Sequence, residues 1–142
     1  MKVVLGSDEK TTVTDAVATD LEQRGYDVLL VGPPGGESIE WAEVGQRVGE
    51  LVAKGEADSG VLFCWTGTGA SIAANKVPGA RAALCTDAAT AAGARKWNDA
   101  NVLVMGLRLT TADVAGELLD AWFTTEPEPS EASNIARLEA RR

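Results

Sequence analysis

Along nearly the whole chain, short apolar runs alternate with stretches whose apolar residues recur at helical spacing. The run at residues 2–5 (KVVL) has strand length and stops at Gly6-Ser7-Asp8. Val13, Ala16, Val17 and Leu21 then mark one face of a helix over residues 13–24, which Gly25 terminates. The run DVLLV at residues 27–31 predicts a second strand, closed by Gly32-Pro33-Pro34-Gly35-Gly36, and an amphipathic helix follows over residues 39–54. Residues 60–64 read as a third strand and residues 70–76 as a short helix. After the turn at Pro78-Gly79 come a strand at 81–85, a helix at 88–96, a strand at 102–105 and a helix at 112–123.

Parallel strands need crossover connections, and the helices that supply them bury both faces of the sheet, which is why the strands read as near-continuous apolar runs. The expected fold is α/β: a three-layer α/β/α sandwich around a Rossmann-like, five-stranded parallel sheet, forming a single domain over residues 1–125. Glu126-Pro127-Glu128-Pro129-Ser130 breaks the alternation, and residues 131–142 predict a last helix too polar for a core. Residues 126–142 are therefore expected to be a linker and helix that packs on a partner subunit.

Composition narrows the function. Lys and Arg number 13 against 21 Asp and Glu, a formal charge of -8, with no basic cluster before the extreme C-terminus, which argues against a nucleic-acid surface. An anionic substrate needs a local cationic pocket instead. No run reaches the length of a membrane span and MKVVLGSDEK lacks a signal-peptide apolar region, so the chain reads as soluble and cytoplasmic. The chain contains no histidine, which excludes histidine-built zinc sites and mechanisms with a histidine base. Two cysteines, Cys64 and Cys85, each end an apolar run without metal-ligand spacing, and in a reducing compartment no disulfide is expected. No metal and no cofactor are expected.

Ligands of open parallel sheets bind outside the carboxyl ends of the strands, where Asp8, Cys64, Asp87 and Arg108 all fall. Trp65-Thr66-Gly67-Thr68-Gly69 follows Cys64 directly, and two glycines let backbone N–H groups face outward ahead of a helix whose N-terminus carries partial positive charge. The physical reading is an anion hole; the bland alternative is a tight strand-to-helix connection. Cys64 is likewise either a small buried hydrophobe or a thiol whose thiolate the loop amides favour.

The blocks CWTGTGASIAANKVPGARAALCTD (64–87), ARKWNDANVLVMGLRL (94–109), LLDAWFTT (118–125) and VVLGSD (3–8) resemble, in order and spacing, the family of ribose-5-phosphate isomerase B and galactose-6-phosphate isomerase. The resemblance implies an aldose–ketose isomerase in which Cys64 moves a proton between C2 and C1 through an enediolate. It makes Thr66 a residue lining the pocket, and Asp8 a contact to the sugar hydroxyls. The amides of Trp65, Gly67, Thr68 and Gly69 become donors to the enediolate oxygens, Asn98 a neighbour of the substrate and Arg108 a phosphate-linked cation. It further implies a homodimer or homotetramer with sites shared between subunits.

The chain departs from that pattern at four places. Asp-His after the first strand reads Asp8-Glu9, and His-Asn before the fifth reads Trp97-Asn98. The first missing histidine helps bind phosphate in the family, where Glu9 would repel a dianion. The second helps open the furanose ring, and indole cannot shuttle a proton near neutral pH. Gly is usual after the cysteine, where Trp65 either roofs the pocket or packs outward. In the tail, only Arg137 matches the family's basic pairs, with Ser133 and Asn134 where the first pair would fall, a pattern closer to members acting on open-chain tetruloses.

The expectation is thus an isomerase of a four- to six-carbon sugar phosphate, with an open-chain tetrulose phosphate favoured over a ribose 5-phosphate-like ring. The alternative is a non-catalytic sugar- or phosphometabolite-binding protein on a degenerate isomerase scaffold. A nucleotide-binding module is weaker, because neither a GK[ST] phosphate loop nor a GxGxxG after the first strand is present.

Overall fold

The structure, a computed structural model, describes residues 1–140. Its elements run β1 (Lys2–Ser7), α1 (Thr12–Gln23), β2 (Asp27–Val31), α2 (Trp41–Ala53), β3 (Ser59–Cys64), α3 (Thr68–Asn75), β4 (Ala82–Leu84), α4 (Ala88–Asn98), β5 (Val102–Gly106), α5 (Ala112–Phe123) and α6 (Ala132–Ala140), with 3-10 turns at Pro33–Gly35 and Pro129–Glu131. All five strands pair in parallel in the order β2-β1-β3-β5-β4. The three-layer α/β/α expectation holds.

Alternation within the central strands divides the core. Val3, Leu5, Val61, Phe63, Leu103 and Met105 face a layer made by α1, α4 and α5. Val4, Leu62, Cys64, Val102 and Val104 face the layer of α2 and α3. Every residue of β3 and β5 is buried, the state of a parallel strand covered on both sides. The edge strand β2 alternates between exposed and half-buried positions until Val31.

Several boundaries shift by one or two residues from the sequence reading, and two of the shifts have a visible cause. The fourth strand keeps only three of the five expected residues, because Arg81 turns into a polar cluster, with Nε donating to the Asp99 carbonyl at 2.7 Å and the guanidinium paired with Asp99 and Glu139. The helix after β3 begins at Thr68, two residues early, because Gly67 adopts the left-handed conformation (φ 80°) and turns the chain at once into the first helical bond, Ser71 N–H to the Gly67 carbonyl. Elsewhere the ends follow their capping residues: the hydroxyl of Thr11 accepts from Thr14 N–H, the carboxylate of Asp87 from Thr90 N–H, and the hydroxyl of Thr111 from Val114 N–H.

The predicted 131–142 helix starts at Ala132, and its last two residues lie outside the described ones. The described part rests on α4 of its own domain, held by the Arg81–Glu139 ion pair. The preceding linker is tied to the end of α4 by Glu128 N–H donating to the Lys96 carbonyl at 2.8 Å. Among the described residues no helix is long and apolar enough to cross a membrane.

At the N-terminal edge of the sheet, the buried Trp122 indole N–H donates to the Ser59 hydroxyl at 2.9 Å, tying α5 to the start of β3. Trp122→Phe strands that hydroxyl and is expected to lower stability by about 1–3 kcal/mol, read as a fall in the urea midpoint. Specific activity of the folded fraction should not change, since the substitution lies at the edge opposite Cys64.

Candidate active site

In a parallel sheet all strands end on one edge, and the chain here departs in opposite directions from β1, towards β2, and from β3, towards β4. The crevice between β1 and β3 is therefore the topological switch point, where such sheets bind ligands. Ser7 pairs with Phe63 across it, so Asp8 and Cys64 come next on neighbouring strands. On the other side Cys64 pairs with Gly106, and the ladder continues beyond the strands through Leu107 N–H to the Cys64 carbonyl and Arg108 N–H to the Trp65 carbonyl, both 2.9 Å.

The turn between β3 and α3 is supported from below. A Cβ on Gly67 would lie 2.5 Å from Leu84 Cδ1 and 3.1 Å from the Met105 carbonyl carbon, so the turn sits directly on β4 and β5. The hydroxyls of Thr66 and Thr68 bond each other at 2.8 Å. Unlike α1, α4 and α5, α3 carries no side-chain cap, and its cap position is Gly67. Its first amides face the edge with the partial positive charge of the helix end.

Asp8 is half-buried, and its Oδ1 is buried with no hydrogen-bond partner among the described residues. Burial pushes its carboxyl above the ordinary Asp range, opposed by a hydrogen bond from its own backbone N–H. The exposed Glu9 has its N–H on the Ser7 hydroxyl at 3.1 Å. Arg108 is exposed and makes no ion pair or side-chain hydrogen bond with any described residue, which leaves a cation at this edge open to an anion. Trp65 is 56% exposed.

The two thiols differ. Cys64 is 5% exposed at the end of β3, next to the uncapped turn. Cys85 is 1% exposed, and burial with the nearby Asp87 carboxylate pushes its thiol up to about 11, which leaves it without thiolate character near neutrality. Asp87 itself is engaged as the cap of α4, and the Thr90 N–H holds its carboxyl below the usual range.

Asp8, Glu9, Cys64, Trp65, Thr66, Gly67, Thr68, Gly69 and Arg108 thus gather on one edge. Trp97 and Asn98 do not join them. They close α4, and a helix that starts at the C-terminal edge of a strand ends at the opposite edge of the sheet. There, with Glu131, Asn134, Arg137 and Leu138, they line a groove of about 360 Å³ between α4 and α6. A further groove of about 610 Å³ runs along residues 75–83 to Leu138 and Glu139, also away from Cys64.

The family model described as Ribose/Galactose Isomerase matches residues 3–140. The chain belongs to the ribose/galactose isomerase family. Ribose-5-phosphate isomerase B of Escherichia coli (strain K12) is 38% identical over 112 residues, 79% of this chain and 75% of its own. D-erythrulose-4-phosphate isomerase 2 of Mycolicibacterium smegmatis is 36% identical over 137 residues, 94% of this chain and 90% of its own. The solved structure of Clostridium thermocellum ribose-5-phosphate isomerase B superposes with a TM-score of 0.92 at 39% identity, over 99% of this chain and 96% of that one. As a member, this chain is an enzyme of the isomerase class.

Sequence reasoning missed Trp41. It opens α2 at the same edge and is half-exposed, with its six-membered ring against Gly69. The signal was present as Trp41, Gly45 and Gly49, spaced one helical turn apart, a stripe whose meaning depends on what packs against it.

An ionised Asp8 is disfavoured by its burial, so this carboxyl contributes stability below its unfolded pKa, near 4, that is lost as pH rises through its raised folded value. Asp8→Asn is expected to raise the melting temperature at neutral pH while lowering activity, with the gain shrinking as pH falls below about 4. Equal melting temperatures of the two proteins at neutral pH would contradict the assignment.

Proposed function

We propose that this isomerase interconverts an aldose and a ketose phosphate of four to six carbons, with Cys64 as the proton-transfer base. The observation that carries the reading is the meeting at the switch point of a cysteine, an uncapped helix N-terminus and a carboxylate oxygen without a partner. The names of the relatives support the sugar-phosphate class. Cys64 thiolate takes the proton from C2 of the aldose, the enediolate charge forms on O1, a proton passes from O2 to O1, and the thiol returns its proton to C1 as C2–O2 becomes the ketose carbonyl. The amides from Trp65 to Gly69 hold those oxygens as fixed dipoles, Thr66 lines the pocket, Asp8 accepts from sugar hydroxyls and Arg108 neutralises the phosphate. Glu9 turns its charge to solvent.

Trp97, Asn98 and Arg137, at the opposite edge of the same chain, complete the site of a second copy in a homodimer or homotetramer. The linker and α6, resting on α4, present Arg137 to that partner beside Trp97 and Asn98. A non-catalytic binding protein is the competing reading, favoured by the absence of histidine at positions 9 and 97.

Cys64→Ala is expected to reduce exchange of substrate C–H protons with solvent by about 10²–10⁴-fold at an unchanged fold. Mixing it with an Asn98→Ala/Arg137→Ala chain should regain part of the activity, since one site of each mixed dimer is whole. Wild-type turnover by Cys64→Ala overturns the base assignment, and no recovery on mixing overturns the shared site.

The substrate follows from the missing histidines. A furanose must be opened by a group that exchanges protons near neutrality, and Trp97 cannot do so; tetrulose phosphates have no such ring to open. The protein is therefore expected to show higher kcat/KM on erythrulose 4-phosphate than on ribose 5-phosphate. The reverse ratio contradicts the open-chain preference, and no turnover of either or of other four- to six-carbon phosphates favours the binding protein.

A further inference from the structure

The helix that carries the anion-binding turn has only eight residues, too few to hold its own position, so its placement comes from what packs on it. Its principal neighbour is α2, and the seam between them has a definite order of sizes. Two turns into α2, a Cβ on Gly49 would lie 3.1 Å from the Ala74 carbonyl oxygen; one turn earlier, a Cβ on Gly45 would lie 2.7 Å from the Ala70 carbonyl oxygen and 2.8 Å from Ala73 Cβ. Through this stretch α2 offers no side chain and the two backbones meet closely.

At the functional end the order reverses. There α2 presents Trp41, and α3 presents Gly69, where a Cβ would lie 2.8 Å from both Cε3 and Cζ3 of the indole. The large side chain thus rests on the backbone of the first turn of α3, next to Gly67 and Thr68, and half of its surface stays in solvent.

Trp41 has a firm base. Its helix is pinned to the sheet by the fully buried Val44 and Val48. The loop before it is held by Glu37, whose carboxylate accepts from Gly32 N–H at 3.3 Å and from Arg47 at 2.8 Å, and by Ile39 packed on the same core. An indole on such a support sets where the start of α3 can sit.

We propose that Trp41 is a positioning residue for the isomerase reaction: its ring, wedged against Gly69, fixes the aim of the Thr66–Gly69 amides at the enediolate oxygens. The inference rests on the isomerase reading of that site. Hydrogen-bond donors that stabilise a developing oxyanion act through fixed placement, so a small shift of the turn acts on the transition state more than on substrate binding.

The test compares kcat and KM of Trp41→Ala, Trp41→Phe, Gly69→Ala and the Trp41→Ala/Gly69→Ala double variant on the substrate the wild type turns over. Trp41→Ala is expected to lower kcat by about 10-fold or more with KM changed by less than about 2-fold, and Trp41→Phe to recover most of the loss. Gly69→Ala pushes its methyl into the ring and should also lower kcat. In the double variant that methyl enters the vacated space, so kcat should exceed the product of the two single effects. Unchanged kcat in Trp41→Ala overturns the proposal, as does a rise confined to KM, which would make the indole a substrate contact, or a double variant whose losses simply multiply. If the wild type turns over no sugar phosphate the isomerase reading fails, whereas an active wild type with an indifferent Trp41→Ala sinks this inference alone.

Discussion

The parallel pairing of β1 with β3 is the constraint on which the rest of the structure depends. Because the two strands run the same way and the chain leaves them in opposite directions, a crevice opens between their C-terminal ends that no crossover helix covers. The register then decides which side chains border it, placing Asp8 and Cys64 just beyond paired Ser7 and Phe63. Slipping one of these strands by a residue would send each of its side chains to the opposite layer, so the same burial that stabilises the sheet also specifies the site.

Within that crevice an acidic chain assembles a place for an anion without a basic patch. The formal net charge is -8, while the edge itself contributes the uncapped amides of α3 and Arg108, which pairs with no described residue. Backbone dipoles suit this task because they cost no desolvated charge and are already oriented by the helix. Asp8 has a different character: burial raises its carboxyl, leaves Oδ1 without a partner and so weakens the fold at the point where a hydroxylated ligand would satisfy it.

The two cysteines show how position decides chemistry. Both end apolar runs, yet burial together with the nearby Asp87 carboxylate suppresses the Cys85 thiolate, whereas Cys64 leads directly into the turn at Gly67. Residue type does not distinguish them; what surrounds each thiol does.

Much of this was legible in the sequence. The alternation of apolar runs and helical periods determined an α/β sandwich, because each element must bury the face its own pattern defines, and the motif after β3 determined which cysteine meets a glycine turn and to which family the chain belongs. Boundaries within this pattern moved where a single side chain had another partner, as when Arg81 left β4 for Asp99 and Glu139. The edge shared by Asp8, Cys64, Asp87 and Arg108 was legible as well, since each follows a strand; only the tertiary structure decided what else joins them there. The family resemblance puts Trp97 and Asn98 beside the substrate, but the length of α4 carries them to the far end of their own sheet. Trp41, more than twenty residues before Cys64, arrives beside the turn because α2 packs on α3. A linear pattern records which face of an element is buried; it does not record what that face meets, since contact between elements is set by strand order and helix length together.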